Sequence, residues 1–326
     1  MARPTRHVPR DSSRRHRWVY LAIAVFVLVD IALIAFALNS ARPSATAETA
    51  RPAPTFGTQA TSEPTGTPGP TGAPVAAPVV AVPPTRFLSA VDATTAWRST
   101  TGECPAATAE PELTTDSGVS WTPTNATDQT EITALQSLIA SSGSVVEFVG
   151  LSGADCAPEF VQTFVGGDTF KSYPDKLETA WFINPADRAV VHSPAGDAPV
   201  PCPAVVAVAP RDRESAAVLC ADQTVFTTDD AAETWSEALT VPGVVNLAVT
   251  PTGYVGSAVG LSECAGVQLI ALLADSLEIT PTGCLLADMP VETMPGNVAI
   301  SEADGTTWLW VGDTLHTSTN GGLAWQ

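Results

Sequence analysis

The chain has 326 residues, 45% of them apolar, and a formal net charge of -19 at pH 7. The charge is unevenly distributed, because residues 86–326 hold seven Lys/Arg against thirty Asp/Glu, a balance of -23, whereas six arginines precede residue 18. A domain this acidic repels a phosphate backbone, which excludes nucleic-acid binding by residues 86–326. Those 241 residues are enough for one large all-β domain.

An apolar run from Trp18 to Leu38 follows the arginines and predicts a transmembrane helix. Its twenty-one residues carry one charge and, at about 1.5 Å each, span a hydrocarbon core of roughly 30 Å. The arginines of the basic tail, residues 1–17, place the N-terminus in the cytoplasm and the C-terminal domain outside the cell, as a single-pass membrane protein. A cleaved signal peptide is the alternative, with a small-residue cleavage site at 35–37 and part of a twin-arginine motif at 13–15. Either interpretation exports the rest of the chain.

Asp30 lies inside this apolar run, where an acidic side chain costs about 2.5 to 3.5 kcal/mol on insertion scales. Two interpretations stay open for it. It associates in the membrane, with a partner helix that carries a basic or polar group or with a second copy of itself through a shared proton, or its apolar neighbours tolerate it. The Asp30→Leu variant separates the two, because only the first predicts a change in the complexes recovered in detergent.

Residues 39–85 predict a disordered linker rich in proline and threonine. Between residues 41 and 85 there are ten prolines and nine threonines, and Phe56 is the one large aromatic side chain. Such a segment cannot bury enough surface to fold, and its prolines keep it extended at up to about 3.1 Å per residue. We therefore expect it to hold the exported domain on the order of 100 Å from the membrane.

From residue 86 onward, short apolar runs alternate with Gly, Pro, Asp and Thr turn signals, which is the pattern of consecutive strands. The clearest unit extends from Ala204 to Trp235, with three strands before a hairpin, and residues 297–325 repeat it. Two further units share the sequence Val-Gly-Leu-Ser, beginning at Val149 and at Val259. Repeats of this length indicate an array of like supersecondary units.

A short motif, Ser/Thr-x-Asp-x-Gly-x-x-Trp, recurs three times in these units. Its aspartate or asparagine can accept N–H groups in a tight loop, its glycine permits a positive φ, and its tryptophan buries a large ring between sheets. Ala232 stands at the glycine position of the second copy and is expected to bend that loop differently. We predict a structural role, away from a central funnel, for Thr114, Asp116, Gly118, Trp121, Thr228, Asp230, Trp235, Ser318, Asn320, Gly322 and Trp325.

The motif resembles the Asp-box (BNR) repeat of sialidase-type β-propellers. The resemblance implies an all-β propeller over residues 86–326, in which each box turns the hairpin between the last two strands of a blade. The final outer strand is expected from the segment Phe87 to Trp97, because the chain stops one residue after Trp325. Five blades are predicted, with six as the alternative, from anchors near residues 114, 172, 228, 280 and 318.

Six cysteines, all on the exported side, predict three disulfides. Fifteen connectivities exist for six cysteines, and pairing of neighbours along the chain is favoured because two of the pairs bracket predicted hairpins. The favoured pairs are Cys104 with Cys156, Cys202 with Cys220, and Cys264 with Cys284. We predict no metal and no cofactor, because Cys-x-x-Cys is absent, the exported histidines are His192 and His316, and Asp229-Asp230 lacks the spaced ligands of a calcium loop.

The resemblance also implies a glycosidase, and the catalytic residues of sialidases are the test. That family clamps a substrate carboxylate with three arginines and uses a tyrosine nucleophile backed by a glutamate, with an acidic proton donor. No residue here can be matched to these positions, so no catalytic residue is predicted. The candidates in the exported domain are Arg86, Arg98, Arg188, Arg211, Arg213, Tyr173 and Tyr254.

Two functions remain. The first is a membrane-anchored extracytoplasmic propeller that acts as a binding or scaffold module for a protein or glycan at the cell envelope, as non-enzymatic Asp-box relatives such as photosystem assembly factors do. The alternative is a sialidase-like envelope glycoside hydrolase with an unrecognised active site. A hydrolase should gather two carboxylates at glycosidase spacing and sugar-stacking aromatics in its central funnel. The low aromatic content outside the motif copies favours binding.

Overall fold

The computed structural model describes residues 79–273 and 278–326. The predicted basic tail, transmembrane helix, Asp30 and all but the last seven residues of the predicted linker lie outside these ranges. Within them, no helix is both long enough and apolar enough to cross a membrane.

Strands dominate the described residues and form six separate antiparallel sheets, each built from strands that are consecutive in the chain. The first sheet is β1 (Arg86–Ala90), β2 (Ala96–Thr100), β3 (Glu112–Thr114) and β4 (Thr122–Pro123). The second is β5 (Ile132–Leu135), β6 (Ile139–Ala140), β7 (Val146–Ser152), β8 (Ala157–Thr163) and β9 (Lys171–Ser172). The third is β10 (Phe182–Ile183), β11 (Val190–Ser193) and β12 (Gly196–Pro199).

The remaining three sheets follow the same up-and-down order. The fourth is β13 (Val205–Pro210), β14 (Ala216–Cys220), β15 (Thr224–Thr228) and β16 (Leu239–Thr240). The fifth is β17 (Val244–Thr250), β18 (Gly253–Val259), β19 (Gly266–Leu273) and β20 (Ile279–Leu286), and the sixth is β21 (Val298–Ala303), β22 (Thr306–Val311) and β23 (Thr314–Ser318). The short helices are α1 (Thr127–Thr130), α2 (Pro174–Leu177) and a 3-10 turn at Val291–Thr293.

Apolar clusters lie between each sheet and the next, so the six sheets form a closed ring. Phe148 packs with Trp97 between sheets one and two, Phe160 with Phe182 between two and three, and Val191 with Val218 between three and four. The series continues with Leu219 and Leu247 between four and five, Val255 and Leu309 between five and six, and Leu88 and Trp308 between six and one. Strands such as β14 and β18 are buried along their whole length because both faces contact a neighbouring sheet. The fold is a six-bladed β-propeller.

Six blades match the alternative blade count, and the preferred count of five missed blade 3. That blade has three strands of two to four residues, β10 to β12, and bears no copy of the motif. The repeat unit predicted near residue 172 therefore covered both blade 2 and blade 3. Residue 172 lies on β9, the outer strand of blade 2.

The ring closes differently from the expectation. Phe87 and Trp97 lie on β1 and β2, which form blade 1, so they supply no strand to the last blade. The outer pairing of blade 6 comes from its own chain, because Gln326 and Thr317 exchange backbone hydrogen bonds of 2.9 and 3.2 Å. Closure depends on packing between blades 6 and 1, where Trp308 donates its Nε1–H to the carbonyl of Asp92 at 3.1 Å.

Residues 79–85, in the segment assigned above to the linker, lie against blades 4, 5 and 6 before β1 begins. Ala81 is 1% exposed and packs in the cluster between blades 4 and 5. The carbonyl of Val79 accepts a hydrogen bond from Gln223, and the N–H of Thr85 donates to Gly296 at 2.8 Å. This strap connects three blades at the end of the ring where the inner strands start.

Among the residues that the structure describes, none forms an innermost strand of blade 3. In the other blades that strand (β1, β5 with β6, β13, β17, β21) runs toward one face, here called the hairpin face, onto which the hairpins after the third strands open. The Ser193 hydroxyl, at the end of β11, donates to Ala231 in the hairpin of blade 4 at 2.6 Å, so β11 runs toward the hairpin face and β10 runs away from it. Trp181, just before β10, likewise bonds Asp212 on that face. β10 is therefore the equivalent of a second strand, and the residues before it form α2 instead of a first strand.

The three disulfides have the favoured connectivity. Cys104–Cys156 joins the loop after β2 to the turn between β7 and β8, and so links blades 1 and 2. Cys202–Cys220 joins the connection from blade 3 to the end of β14, and Cys264–Cys284 lies within blade 5.

Candidate functional site

The central channel is a cavity of about 480 Å³. Its wall consists of the innermost strands of five blades and, at blade 3, of Ile183 on β10. Val208, Leu247 and Ile300 give it an apolar lining, and Pro83 of the strap lies at its entrance.

Two arginines line the channel, and both guanidinium groups are already bound to backbone carbonyls. Arg86 donates its Nε–H to Gly312 at 2.8 Å, and Arg188 donates to Val205 through Nε at 3.0 Å and Nη2 at 2.7 Å. Burial lowers the pKa of Arg188. Glu302 is the one carboxylate among the lining residues that the structure describes, and burial raises its pKa.

A second cavity of about 420 Å³ lies next to the channel, at the gap in blade 3. The two cavities share Ser137, Ile139 and Pro210 in their walls. The ionisable residues of this side pocket are Glu147, Lys176, Arg211 and Asp212, and its aromatic residues are Phe148, Phe160 and Trp181. An innermost strand of blade 3 would separate the two cavities, so the side pocket follows from the absence of that strand.

The charged groups of the side pocket differ in how well they are paired. Lys176 bonds the Gln162 amide oxygen, and its ammonium lies 5.4 Å from the ring centre of Phe160 and 5.3 Å from that of Tyr173. The carboxylate of Asp212 accepts two N–H groups of its own turn, which lowers its pKa. The backbone of Glu147 pairs with Gln162 in the β7–β8 ladder, whereas its carboxylate makes no hydrogen bond or ion pair with any described residue.

Burial raises the pKa of Glu147, and the Lys176 charge opposes this effect only in part. A raised pKa means that the folded state binds the proton more tightly than the unfolded state, so the ionised carboxylate destabilises the fold at neutral pH. We expect Glu147→Gln to melt at a higher temperature than the wild type at pH 7.5. The difference should disappear as the pH falls below the ordinary glutamate value of 4.5. Thermal melts at pH 7.5 and pH 4 check this, and a variant that melts lower at pH 7.5 would contradict it.

The three motif copies form hairpins of one geometry. In each, the Ser/Thr hydroxyl accepts the N–H of the glycine position, at 3.0, 3.0 and 2.9 Å, and donates to the Asp or Asn oxygen. That oxygen also accepts the N–H four residues further on, at 2.9 Å in every copy. The prediction that Ala232 bends its loop differently is wrong. Its φ of 69° is close to the 84° of Gly118, so Ala232 adopts a strained positive φ and the loop has the same shape.

A fourth hairpin of this shape, which the motif does not predict, lies between β8 and β9 of blade 2. Thr163 accepts the N–H of Gly167 at 3.2 Å, and Gly166 and Gly167 repeat the two positive φ angles at 66° and 90°. Phe170, 2% exposed, takes the tryptophan position, whereas an exposed Val165 takes the aspartate position. The spacing Thr-x-x-x-Gly-x-x-Phe was the available signal, and the missing aspartate concealed it.

None of the eleven predicted hairpin residues lines the channel or the side pocket. Trp235 and Trp325 reach the preceding blade, where their Nε1–H groups donate to Pro199 at 3.0 Å and Cys284 at 3.2 Å. Trp121 donates to Gly118 of its own hairpin at 3.1 Å. These residues therefore hold hairpins and neighbouring blades together.

The Asp116 carboxylate is expected to support its hairpin in a pH-dependent way. Its pKa falls to about 2, chiefly because the Ser120 hydroxyl and N–H donate to it, with Thr114 as a further donor. A lowered pKa stabilises the fold fully above the ordinary value of 3.8, and this contribution is lost as the pH falls through 2. Asp116→Ala should lower the melting temperature at pH 7 by about 2–4 °C. Melts at pH 7 and pH 2 check this, with Asp116→Asn as the control that retains the acceptor, as Asn320 does.

The sialidase-type arginines and tyrosines do not converge on one site. Arg98 is held by Glu112 at 2.6 Å and lies 4.0 Å from the Trp121 ring centre, outside both cavities. Arg211 lies 6.0 Å from the Tyr254 ring centre, and burial raises the pKa of Tyr254 to about 12, which keeps that phenol protonated. In residues 79–273 and 278–326, no three His, Cys, Asp or Glu side chains are placed to hold a metal ion.

No protein-family model matches the chain, and no curated protein matches it. Solved structures similar to it include YCF48 bound to a D1 peptide, at 17% identity over 76% of this chain and 69% of that one, with a TM-score of 0.28. A GH74 xyloglucanase from Xanthomonas campestris is 14% identical over 74% of this chain and 37% of the enzyme, with a TM-score of 0.30. A Hadza microbial sialidase is 14% identical over 69% of this chain and 49% of that one, with a TM-score of 0.34.

Proposed function

We propose that the chain is a membrane-anchored, extracytoplasmic binding module whose propeller holds a segment of a partner protein in its central channel. The apolar run at 18–38 is the anchor, residues 1–17 are cytoplasmic, and the linker from residue 39 carries the propeller at the cell envelope. The four hairpins are Asp-box repeats with a structural role. Three disulfides and a strongly acidic domain support a location outside the cytoplasm.

The chemistry of the channel wall carries this proposal. Glycoside hydrolysis needs two carboxyl groups about 5 to 9.5 Å apart, and the described channel lining offers only Glu302. The rest of the wall combines apolar side chains with uncharged polar ones such as Gln136 and Asn246, and both arginines are already bound to carbonyls. A concave, largely apolar site with a few polar groups suits an apolar segment of a polypeptide.

A glycoside hydrolase is the second candidate, and one observation favours it. The side pocket holds Glu147 with a raised pKa and Asp212 with a lowered one, beside Trp181, and opposite shifts in one cavity are the pattern of an acid and a base. It ranks second because the Asp212 carboxylate is bound by the Glu214 and Ser215 N–H groups at 2.8 Å each.

Site-specific photocrosslinking on intact cells tests the binding function. A photoreactive residue at Val208, on the channel wall, should capture a specific protein. The same residue at Val119, 85% exposed on a hairpin outside both cavities, is the matched control. Capture from both positions alike, or turnover of a glycoside that Glu147→Gln abolishes, would overturn the proposal.

Fractionation tests the anchor. A retained helix leaves the full-length chain in the membrane after alkaline extraction, with residue 1 still present by mass spectrometry. A soluble chain that begins near residue 38 would show cleavage of a signal peptide. In the retained form, Asp30→Leu reports on a partner helix through the size of the detergent complex.

A further inference from the structure

The inner edge of β10 is an unpaired strand edge inside the ring. Asn184 donates its N–H to Val190 at 3.0 Å, and Phe182 is paired with His192. Hydrogen-bonded pairs alternate along an antiparallel ladder, so the N–H and C=O groups of Ile183 and Trp181 point away from β11. Neither residue makes a backbone hydrogen bond on that side within the described structure. In the other blades the corresponding edge is covered by an innermost strand.

This edge extends along both cavities. Ile183 lines the channel and Trp181 lines the side pocket, and both side chains are largely buried, at 5% and 6% exposure. Buried backbone N–H and C=O groups destabilise the folded state when they have no hydrogen-bond partner. A strand inserted beside β10 would satisfy them and would occupy the position that innermost strands hold in the five other blades.

We infer that this gap takes an extended segment of a partner protein, which pairs with β10 as the missing strand of blade 3 and presents a lysine or arginine to Glu147. The inference rests on the proposed binding function and names its mode. Strand addition to an exposed sheet edge uses main-chain hydrogen bonds for affinity and side-chain pockets for specificity.

The charges of the side pocket and of the domain favour a basic residue on the inserted segment. Glu147 lines the side pocket without an ion pair, whereas Lys176 is held by Gln162 and by aromatic rings. Residues 86–326 carry a balance of -23, which attracts a basic partner.

The linker of the same chain is a poor occupant. Ten prolines stand between residues 41 and 85, and proline has no N–H to donate to a strand ladder. Its longest runs without proline are residues 44–51 and 55–63, which hold one basic residue, Arg51, and residues 79–82 already lie against blades 4 to 6, where Ala81 is buried. The segment that fills the gap is therefore expected from another protein.

The test uses the full-length chain in detergent and a fluorescent synthetic copy of the blade 5 inner strand, residues 244–250, extended by one lysine. The probe should bind saturably. N-methylation of the alternate amides in one register should weaken binding by at least about tenfold, whereas N-methylation in the other register should not, because only one set of amides faces β10. Equal effects in both registers, or no binding, would overturn strand addition.

Matched variants test whether Glu147 recognises the lysine of the probe. Glu147→Gln should weaken binding of the lysine probe but not of a probe with norleucine in place of lysine. Glu233→Gln, which changes an exposed carboxylate on the blade 4 hairpin that lines neither cavity, should leave both probes unaffected. Since Glu147→Gln is expected to stabilise the fold, a loss of binding cannot come from unfolding. Equal binding of both probes to the wild type would remove the role of Glu147.

The two proposals fail separately. Capture of a partner from Val208, combined with a probe that binds without register dependence, leaves the binding function standing and removes strand addition. Failure of capture from Val208 together with failure of probe binding removes both.

Discussion

Trp308→Ala is expected to lower the free energy of unfolding by about 3–5 kcal/mol, the range for truncating a large buried aromatic side chain. Trp308 is fully buried on β22 of blade 6 and packs against Leu88 and Ala96 of blade 1. Its Nε1–H also donates to Asp92 at 3.1 Å across the same interface. Among the described strands, none is shared between the first and last blades, so this packing closes the ring. Chemical denaturation followed by tryptophan fluorescence measures the change.

Two controls separate ring closure from loss of packing in general. Trp308→Phe should retain much of the stability, because it keeps an aromatic ring and loses only the indole hydrogen bond. Trp97→Ala removes an equally buried tryptophan between blades 1 and 2, an interface that the Cys104–Cys156 disulfide also holds. Hydrogen exchange should therefore rise on β1 and β21 after Trp308→Ala, and near β7 after Trp97→Ala. A change below about 1 kcal/mol for Trp308→Ala would show that the interface does not hold the ring.

Removal of the Cys104–Cys156 disulfide by a Cys104→Ser/Cys156→Ser double variant is expected to lower the free energy of unfolding by about 4 kcal/mol. The two cysteines are 52 residues apart, and in the chain-entropy model a closed loop of that length restricts the unfolded chain by about this amount. Denaturation with and without reductant provides the measurement.

The matching control is the Cys202→Ser/Cys220→Ser double variant. Its disulfide closes 18 residues, for which the same model predicts about 3 kcal/mol. The longer loop should therefore show the larger loss. The reverse order would indicate that native contacts around Cys220, which is fully buried in the cluster between blades 3 and 4, outweigh the chain-entropy effect.

Features that depend on a few neighbouring residues were predictable. The three motif hairpins are closed by contacts within eight residues, such as Thr114 with Asp116 and Gly118. The spacing of these residues can therefore be recognised in the sequence. The disulfide pairs were predictable for a related reason, because two of the three bracket hairpins. The alternation of short apolar runs with turns indicated an all-β fold, and the resemblance of the motif to the Asp-box implied a propeller.

The number of blades and the cavities were harder to predict from the sequence, because they depend on contacts between blades. Blade 3 has short strands and no motif copy, so its existence is shown only by where β10 to β12 pack. Closure by Trp308 and Asp92 joins residues 216 positions apart, which no local pattern encodes.

The sequence by itself determined an acidic, disulfide-linked repeat domain, because charge and the spacing of cysteines and hairpins are properties of short segments. Only the tertiary structure decided that six blades form the ring and that blade 3 lacks its innermost strand. In the described structure, α2 and the turn after it take the place of that strand, so the backbone groups of Ile183 and Trp181 that face the channel and the side pocket have no described partner. An empty strand position is defined by how the strands around it pack, here β10 and the inner strands of blades 2 and 4, and no local sequence pattern records that packing.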